Sequence, residues 1–211
     1  MLKENISKAV LERLPLYLNY LHELDDDIKN ISSSIIAKEL NLGEVQVRKD
    51  LALVSSKAGK PKIGFDKNEL IKDISLYLNC DNVTNAVIVG VGKIGKAILE
   101  YEGFTRYGVD ILAGFSHHAN KFINIKTKKD VYPLSMFEAY CKEHNIKIGI
   151  ITVPFDYAQE IADMMVRCGI KAIWNFARKS LSVPSDVIVR QEDLAASIAI
   201  LSCKLKNSEN L

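Results

Sequence analysis

At 211 residues, with 48% hydrophobic and 26% charged side chains, the chain has the make-up of a globular protein of one or two domains with a real core. A net charge of +2 argues by itself for neither nucleic acid nor an anionic membrane, and no apolar run reaches the roughly 18 residues of a spanning helix. The opening Met1 to Lys8 lacks a signal-peptide core, and Cys80, Cys141, Cys168 and Cys203 are widely scattered, so the expectation is a reducing cytoplasm, with no metal and no membrane.

Apolar residues at Ile6, Val10, Leu14, Leu18 and Leu21 mark a first helix over 6–23, with a kink or a start expected at Pro15. Ser32-Ser33-Ser34 is an N-cap cluster for a helix over 35–40. Asn41-Leu42-Gly43 is a turn in which Gly suits the end of that helix. A further helix follows over 44–54. Two short helices around a Gly-containing turn form a helix-turn-helix pattern, whose second helix carries Gln46, Arg48 and Lys49 where base edges are read. From Gln46 to Gly64, Arg48, Lys49, Lys57, Lys60 and Lys62 stand against the single acid Asp50, either a solvated basic face or a phosphate-facing one. Ile63-Gly64-Phe65-Asp66 reads as the return strand of a hairpin, which makes the basic loop before it a wing. A helix over 69–78 leads to the turn 79–82.

Beyond residue 85 strands and helices alternate. Strands are expected at 86–89, 109–115, 146–153, 172–175 and 187–189, and helices at 93–101, 157–168 and 193–205, the last amphipathic. Val131 to Leu134 introduces another helix through Glu143. Near-continuous apolar strands alternating with helices indicate a parallel sheet covered on both faces. The fold class is therefore α/β: an N-terminal winged helix-turn-helix domain (1–80), a Rossmann-like parallel-sheet domain (81–192) and a C-terminal helix (193–211).

Between the first of these strands and its helix stands Gly90-Val91-Gly92-Lys93-Ile94-Gly95, a dinucleotide fingerprint in its required context. Gly90 permits the tight turn, Gly92 a close approach to a pyrophosphate, and Gly95 close helix–strand packing. So much chain precedes the motif that a sensing domain attached to another module is expected, with little room for a substrate domain. At the end of the second strand an NAD site normally has an acid for the ribose 2′-hydroxyl. Here Phe115 is followed by neutral Ser116, then His117, His118 and Lys121, which leaves NADP(H) open beside NAD(H). On their own the two histidines read as solvated loop residues. No catalytic constellation stands out; Tyr101, Tyr157 and His144 qualify as acid/base groups by chemistry only. Asp193 is placed either to cap the final helix or to make an interface contact.

Several stretches taken together resemble the Rex family of bacterial redox-sensing transcriptional repressors over nearly the whole chain. They are Arg13-Leu14-Pro15-Leu16-Tyr17, Gln46-Val47-Arg48-Lys49-Asp50-Leu51, the fingerprint from Val89, Val153-Pro154 with Ala158-Gln159, Ile173-Trp174-Asn175-Phe176, and Glu192-Asp193-Leu194. The resemblance implies a cytoplasmic homodimer with its C-terminal helix swapped between subunits, bound to double-stranded operator DNA when NAD+ prevails and released by NADH. It implies DNA contacts from Ser33, Ser34, Gln46, Arg48, Lys49, Lys57, Lys60 and Lys62. It implies NAD(H) contacts from Gly90, Val91, Gly92, Lys93, Ile94, Gly95, Phe115, Ser116, Val153, Pro154 and Asn175. Tyr101 and Asp193 match members of a redox-dependent interface network.

Three positions depart from the family pattern. Asn19 stands where an Arg often partners that Asp, so a neutral contact replaces a charge-assisted one. The wing at 55–62 differs from the commoner Phe/Gly-rich form, and Ser116 stands in place of Asp. Two other readings remain open at this point: a related regulator with altered or lost dinucleotide sensing, and a small NAD(P)-dependent oxidoreductase with a helical oligomerisation domain.

Overall fold

The computed structural model describes residues 6–118 and 127–208, so Lys121 lies outside it. The chain divides into two compact units, one of residues 1–82 with Arg106–Gly108 and one of 83–105 with 109–211.

In the first unit, α1 (Lys8–Glu23) starts at Ser7, whose side chain accepts the Val10 N–H, and runs unbroken through Pro15. The start expected at the proline does not occur. The carbonyl it frees belongs to exposed Leu11, while Leu14, Tyr17, Leu18 and Leu21 are buried along the opposite stripe. After β1 (Asn30–Ile31) come α2 (Ser33–Glu39), capped by Ser32, and α3 (Glu44–Val54). The turn between them uses Asn41, not Gly43, in the left-handed conformation, at φ 52°. Leu42 N–H bonds to the Ala37 carbonyl at 2.8 Å and closes the end of α2. Gly43 instead caps the start of α3 with extended backbone. β2 (Phe65–Asp66) then leads into α4 (Lys67–Tyr77), capped by Asp66. Val47, Leu51, Leu70 and Ile74 close the core against α1.

The hairpin differs from the sequence expectation. β2 pairs antiparallel with β1, which precedes the helix-turn-helix, with Ile31 opposite Phe65. The wing is reduced to a tight loop in which Lys60 and Gly64 exchange backbone bonds of 2.8 and 2.9 Å. Pro61 has no N–H to donate and Lys62 sits at φ 64°, so the small polar run before them gains no ladder partner.

The second unit is a six-stranded parallel sheet: β3 (Thr84–Val89), β4 (Val109–Ser116), β5 (Val131–Pro133), β6 (Ile148–Ile151), β7 (Ala172–Asn175) and β8 (Ile188–Gln191). Its spatial order is β5-β4-β3-β6-β7-β8, so the order reverses between β3 and β6. That reversal opens a crevice at the carboxyl ends of these two strands. α5 (Lys93–Glu100) joins β3 to β4, α6 (Phe137–His144) precedes β6, and α7 (Ala158–Arg167) joins β6 to β7. Val87 and Val89 pack with Phe115, Phe137 and Met165 on one side of the sheet, and Ala86 and Ile88 with Leu99 and Ile111 on the other. β5 occupies a stretch read as the approach to a helix; Pro133 is tolerated there because the strand lies at the sheet's edge.

α8 (Leu194–Ser208) follows β8. It presents Leu194, Ile198, Leu201 and Leu205, each at least 60% exposed and spaced four, three and four residues apart. No helix among the described residues is long and apolar enough to cross a membrane.

Candidate functional site

A cleft of about 910 Å³ in the second unit lies at the sheet's switch point. The turn from β3 into α5 forms its floor. Gly90 adopts φ +100°, and a Cβ there would come within 2.8 Å of the Thr152 carbonyl carbon and the Val153 nitrogen. Its N–H bonds to the Phe115 carbonyl at 2.8 Å, which ties the turn to β4. A Cβ on Gly95 would lie 1.9 Å from the Gly90 carbonyl oxygen, so this glycine lets helix and turn close on each other. Gly92 is different: a Cβ would meet nothing within 4 Å, and the residue lines the cleft. No side chain caps α5 and its first turn holds no acid, so the helix presents free N–H groups and its positive end.

Gly90, Val91, Gly92, Ile94, Phe115, Ser116, Val153 and Pro154 all line this cleft. Of the residues expected there, Lys93, Gly95 and Asn175 are not among the lining. Lys93 is exposed on α5, and Gly95 is buried behind the turn. Asn175 is fully buried, with every polar group of its side chain committed. It donates to the Lys179 carbonyl at 2.9 Å and to Gln191 Oε1 at 2.7 Å, and accepts from Ala177 N–H at 3.0 Å. It braces the chain between β7 and β8.

Sequence reasoning missed Thr152, Leu134, Glu160, Ile161 and Phe176 as lining residues, and set the histidines aside. Thr152 Oγ1 donates to the Gly90 carbonyl and binds the end of β6 to the turn. His117 and His118 line the cleft beside Ser116, whose Oγ accepts the His118 N–H at 3.1 Å. Of the three acid/base candidates only Tyr157 reaches the cleft. His144 is stacked on Tyr140, with centroids 3.9 Å apart. Tyr101 packs edge-on against Phe104 at 5.1 Å, and Phe104 in turn against Trp174 at 5.8 Å. Trp174 lies 4.5 Å from Phe176, in the cleft wall.

The residues present fit a dinucleotide. The open space over Gly92 and the uncapped start of α5 suit a pyrophosphate, and Ile94, Leu134, Val153, Pro154 and Phe176 supply apolar walls for flat rings.

In the first unit, Gln46, Arg48 and Lys49 are exposed on α3 and have no side-chain hydrogen bond or ion pair among the described residues. A shallow basin of about 760 Å³ gathers Ser33, Ser34, Arg48, Lys57, Lys60 and Lys62 between α2, α3 and the wing. Lys57 is already paired with Glu69. Asp50, the one acid in the basic stretch, faces inward. Arg13 grips both its oxygens at 2.7 and 3.0 Å, and the Tyr17 hydroxyl donates to it at 2.7 Å. The exposed surface is therefore more basic than the sequence tally implies.

Of the interface residues, Asp193 caps α8, its Oδ1 accepting the Ala195 and Ala196 N–H groups at 2.9 and 3.1 Å. Asn19 Oδ1 accepts the Tyr107 hydroxyl at 2.7 Å. The buried Cys141 thiol is pushed up to about 12 by burial first and by Cys168 second, which makes it a poor nucleophile near neutrality.

Residues 5–52 match a family described as "Putative DNA-binding protein N-terminus", and residues 81–179 one described as "CoA binding domain". The redox-sensing transcriptional repressor Rex of Clostridium botulinum is 37% identical over 209 residues, covering 98% of this chain and 99% of its own. The solved structure of RSP in complex with β-NAD+ and operator DNA superposes with a TM-score of 0.87 at 34% identity, over 98% of this chain and 95% of that one. RSP in complex with β-NADH gives 0.84 at the same identity, over 98% and 97%. Similarity of this extent, across both units and through α8, places the chain in the Rex family of redox-sensing transcriptional repressors.

Proposed function

We propose that the protein is a homodimeric cytoplasmic repressor that holds operator DNA while NAD+ prevails and releases it when NADH occupies the cleft. The observation that carries this reading is that one chain joins a helix with exposed Gln46, Arg48 and Lys49, free of side-chain partners among the described residues, to a cleft at a sheet switch point. The NAD+–DNA and NADH complexes of RSP, which share this fold, support both halves of it.

Gln46, Arg48 and Lys49 would enter the major groove, while Lys60, Lys62 and the serines at the start of α2 meet phosphates. Gly90 and Gly92, with the N–H groups at the start of α5, would hold the pyrophosphate. Phe115 and Ser116 border the adenosine end, and Val153 and Pro154 the nicotinamide end. The dinucleotide acts as a ligand whose affinity differs between the DNA-bound and released states, since a ligand without that difference shifts nothing. Its relatives over nearly the whole chain are transcriptional repressors, and the protein is not an enzyme.

α8 supplies the dimer contact. Four apolar side chains at coiled-coil-like spacing, all exposed in a single chain, offer a second copy a continuous apolar stripe. Tyr101, Asn19 and Asp193 belong to the switch. Asn19 accepts the Tyr107 hydroxyl within its own unit.

A gel-shift titration tests the reading. The protein with NAD+ should shift a duplex selected from a random-sequence library, and NADH should abolish the shift. A shift indifferent to both nucleotides would refute the sensing half, and no selectable duplex the repressor half.

A further inference from the structure

We propose that the adenosine-ribose end of the cleft admits a 2′-phosphate, so that the protein binds NADP(H) as well as NAD(H). This inference rests on the dinucleotide reading of the cleft and extends it to the class of ligand.

In a sheet of this order, the residue ending the strand next to the fingerprint strand decides ribose specificity. A carboxylate there accepts the 2′-hydroxyl and repels a 2′-phosphate, whereas a cation attracts it. That strand is β4, which pairs with β3 along its length and ends at Ser116. Three features of this end favour the phosphate.

The first is charge. Ser116, His117 and His118 form the described lining here, and none of them carries a negative charge. The one acid among the described lining residues, Glu160, is carried by α7, which follows β6 on the far side of β3.

The second is the supply of donors. Ser116 Oγ accepts the His118 N–H at 3.1 Å, which leaves its own proton to donate outward. A carboxylate in the same place has no proton to give. The imidazoles of His117 and His118 add ring N–H donors and are exposed, with no hydrogen-bond partner among the described residues. Several donors, with no anion among the described residues of this end, suit an oxygen-rich dianion better than a lone hydroxyl.

The third is rigidity. Phe115, one residue before, is fully buried among Tyr132, Phe137 and Tyr140, and its carbonyl is tied to Gly90 N–H. Ser116 is thus held in fixed relation to the turn that would cradle the pyrophosphate.

Isothermal titration of the full-length protein with NADH and with NADPH tests this, with Ser116→Asp and the double variant His117→Ala/His118→Ala alongside. Circular dichroism melting would show that each variant is folded. NADPH should bind the wild type within about tenfold of NADH, since neither charge repulsion nor a lost carboxylate contact separates them. Ser116→Asp should weaken NADPH by about tenfold or more while NADH holds or tightens. The double variant should weaken NADPH more than NADH. A wild type that prefers NADH by about a hundredfold or more would overturn the inference while leaving the dinucleotide reading intact, and so would a Ser116→Asp variant that weakens both ligands equally. Binding of neither nucleotide would overturn the dinucleotide reading and this inference together.

Discussion

Gly92 and Gly95 are glycine for different reasons. Gly95 is packed against the Gly90 carbonyl, so Gly95→Ala must displace the backbone. It should lower the thermal midpoint measured by calorimetry as well as nucleotide affinity. Gly92 has ordinary φ, −81°, and free space above it. Gly92→Ala should melt as the wild type does yet lose about tenfold or more in NADH affinity, because the methyl group fills the cradle. Equal melting losses in the two variants would contradict this assignment. The close packing at Gly95 is legible in the motif, and the pyrophosphate role proposed for Gly92 is what its variant tests. The Asp50 site is not legible in the sequence, because Arg13 lies 37 residues away and composition counts Asp50 as a surface acid. Asp50→Ala should destabilise the first unit by about 3 kcal/mol, since it strands the buried Tyr17 hydroxyl and a part-buried Arg13; a denaturant midpoint unchanged at constant slope would contradict it. Burial first, and the hydrogen bond to Asp50 second, push Tyr17 from 10.0 up to about 12. The folded state therefore holds this proton more tightly than the unfolded chain does. The stability it contributes is complete below about pH 10 and is lost as pH rises from about 10 to about 12. Urea midpoints measured across that window should fall more steeply in the wild type than in Tyr17→Phe, and parallel curves would contradict the assignment.

Among the elements, α3 and α8 carry the surfaces proposed for DNA and for a second copy, one through its exposed Arg48 and Lys49 and one through its apolar spacing. Arg48→Ala or Lys49→Ala should weaken operator binding and leave NADH binding unchanged. Each lost phosphate contact should reduce the salt slope of binding by about one, and an unchanged anisotropy titration would rule out the α3 interface. Leu201→Glu should shift the protein toward monomer in sedimentation equilibrium, whereas a dimer of unaltered stability would put the interface elsewhere. The less legible elements owe their form to partners distant in sequence. β2 is two residues long and exists because Asn30–Ile31 offers it an edge, so a local reading assigned it to a hairpin with the wing. β5 ends in a proline that argues for a loop until its place at the sheet's edge is known. α1 continues past Pro15 because the buried stripe outweighs one missing hydrogen bond. Asn175 stands in a stretch that resembles the family, yet its role as a brace depends on where Lys179 and Gln191 fold back.

For the whole molecule, the alternation of strands and helices made the parallel sheet legible, and the glycines located its switch point. The sequence did not reveal that His117 and His118 line the cleft, because loop direction after β4 is set by Ser116 and the aromatic cluster beneath it. In the proposed dimer, cleft occupancy governs DNA affinity, with operator half-sites about one helical turn or a multiple of it apart. The most direct test is fluorescence anisotropy of a labelled, library-selected duplex titrated with the protein at fixed salt, with NAD+ or NADH present. Binding should be tight with NAD+ and at least about tenfold weaker with NADH, a difference abolished in Gly92→Ala. Equal affinity with NAD+, with NADH and without nucleotide would contradict it.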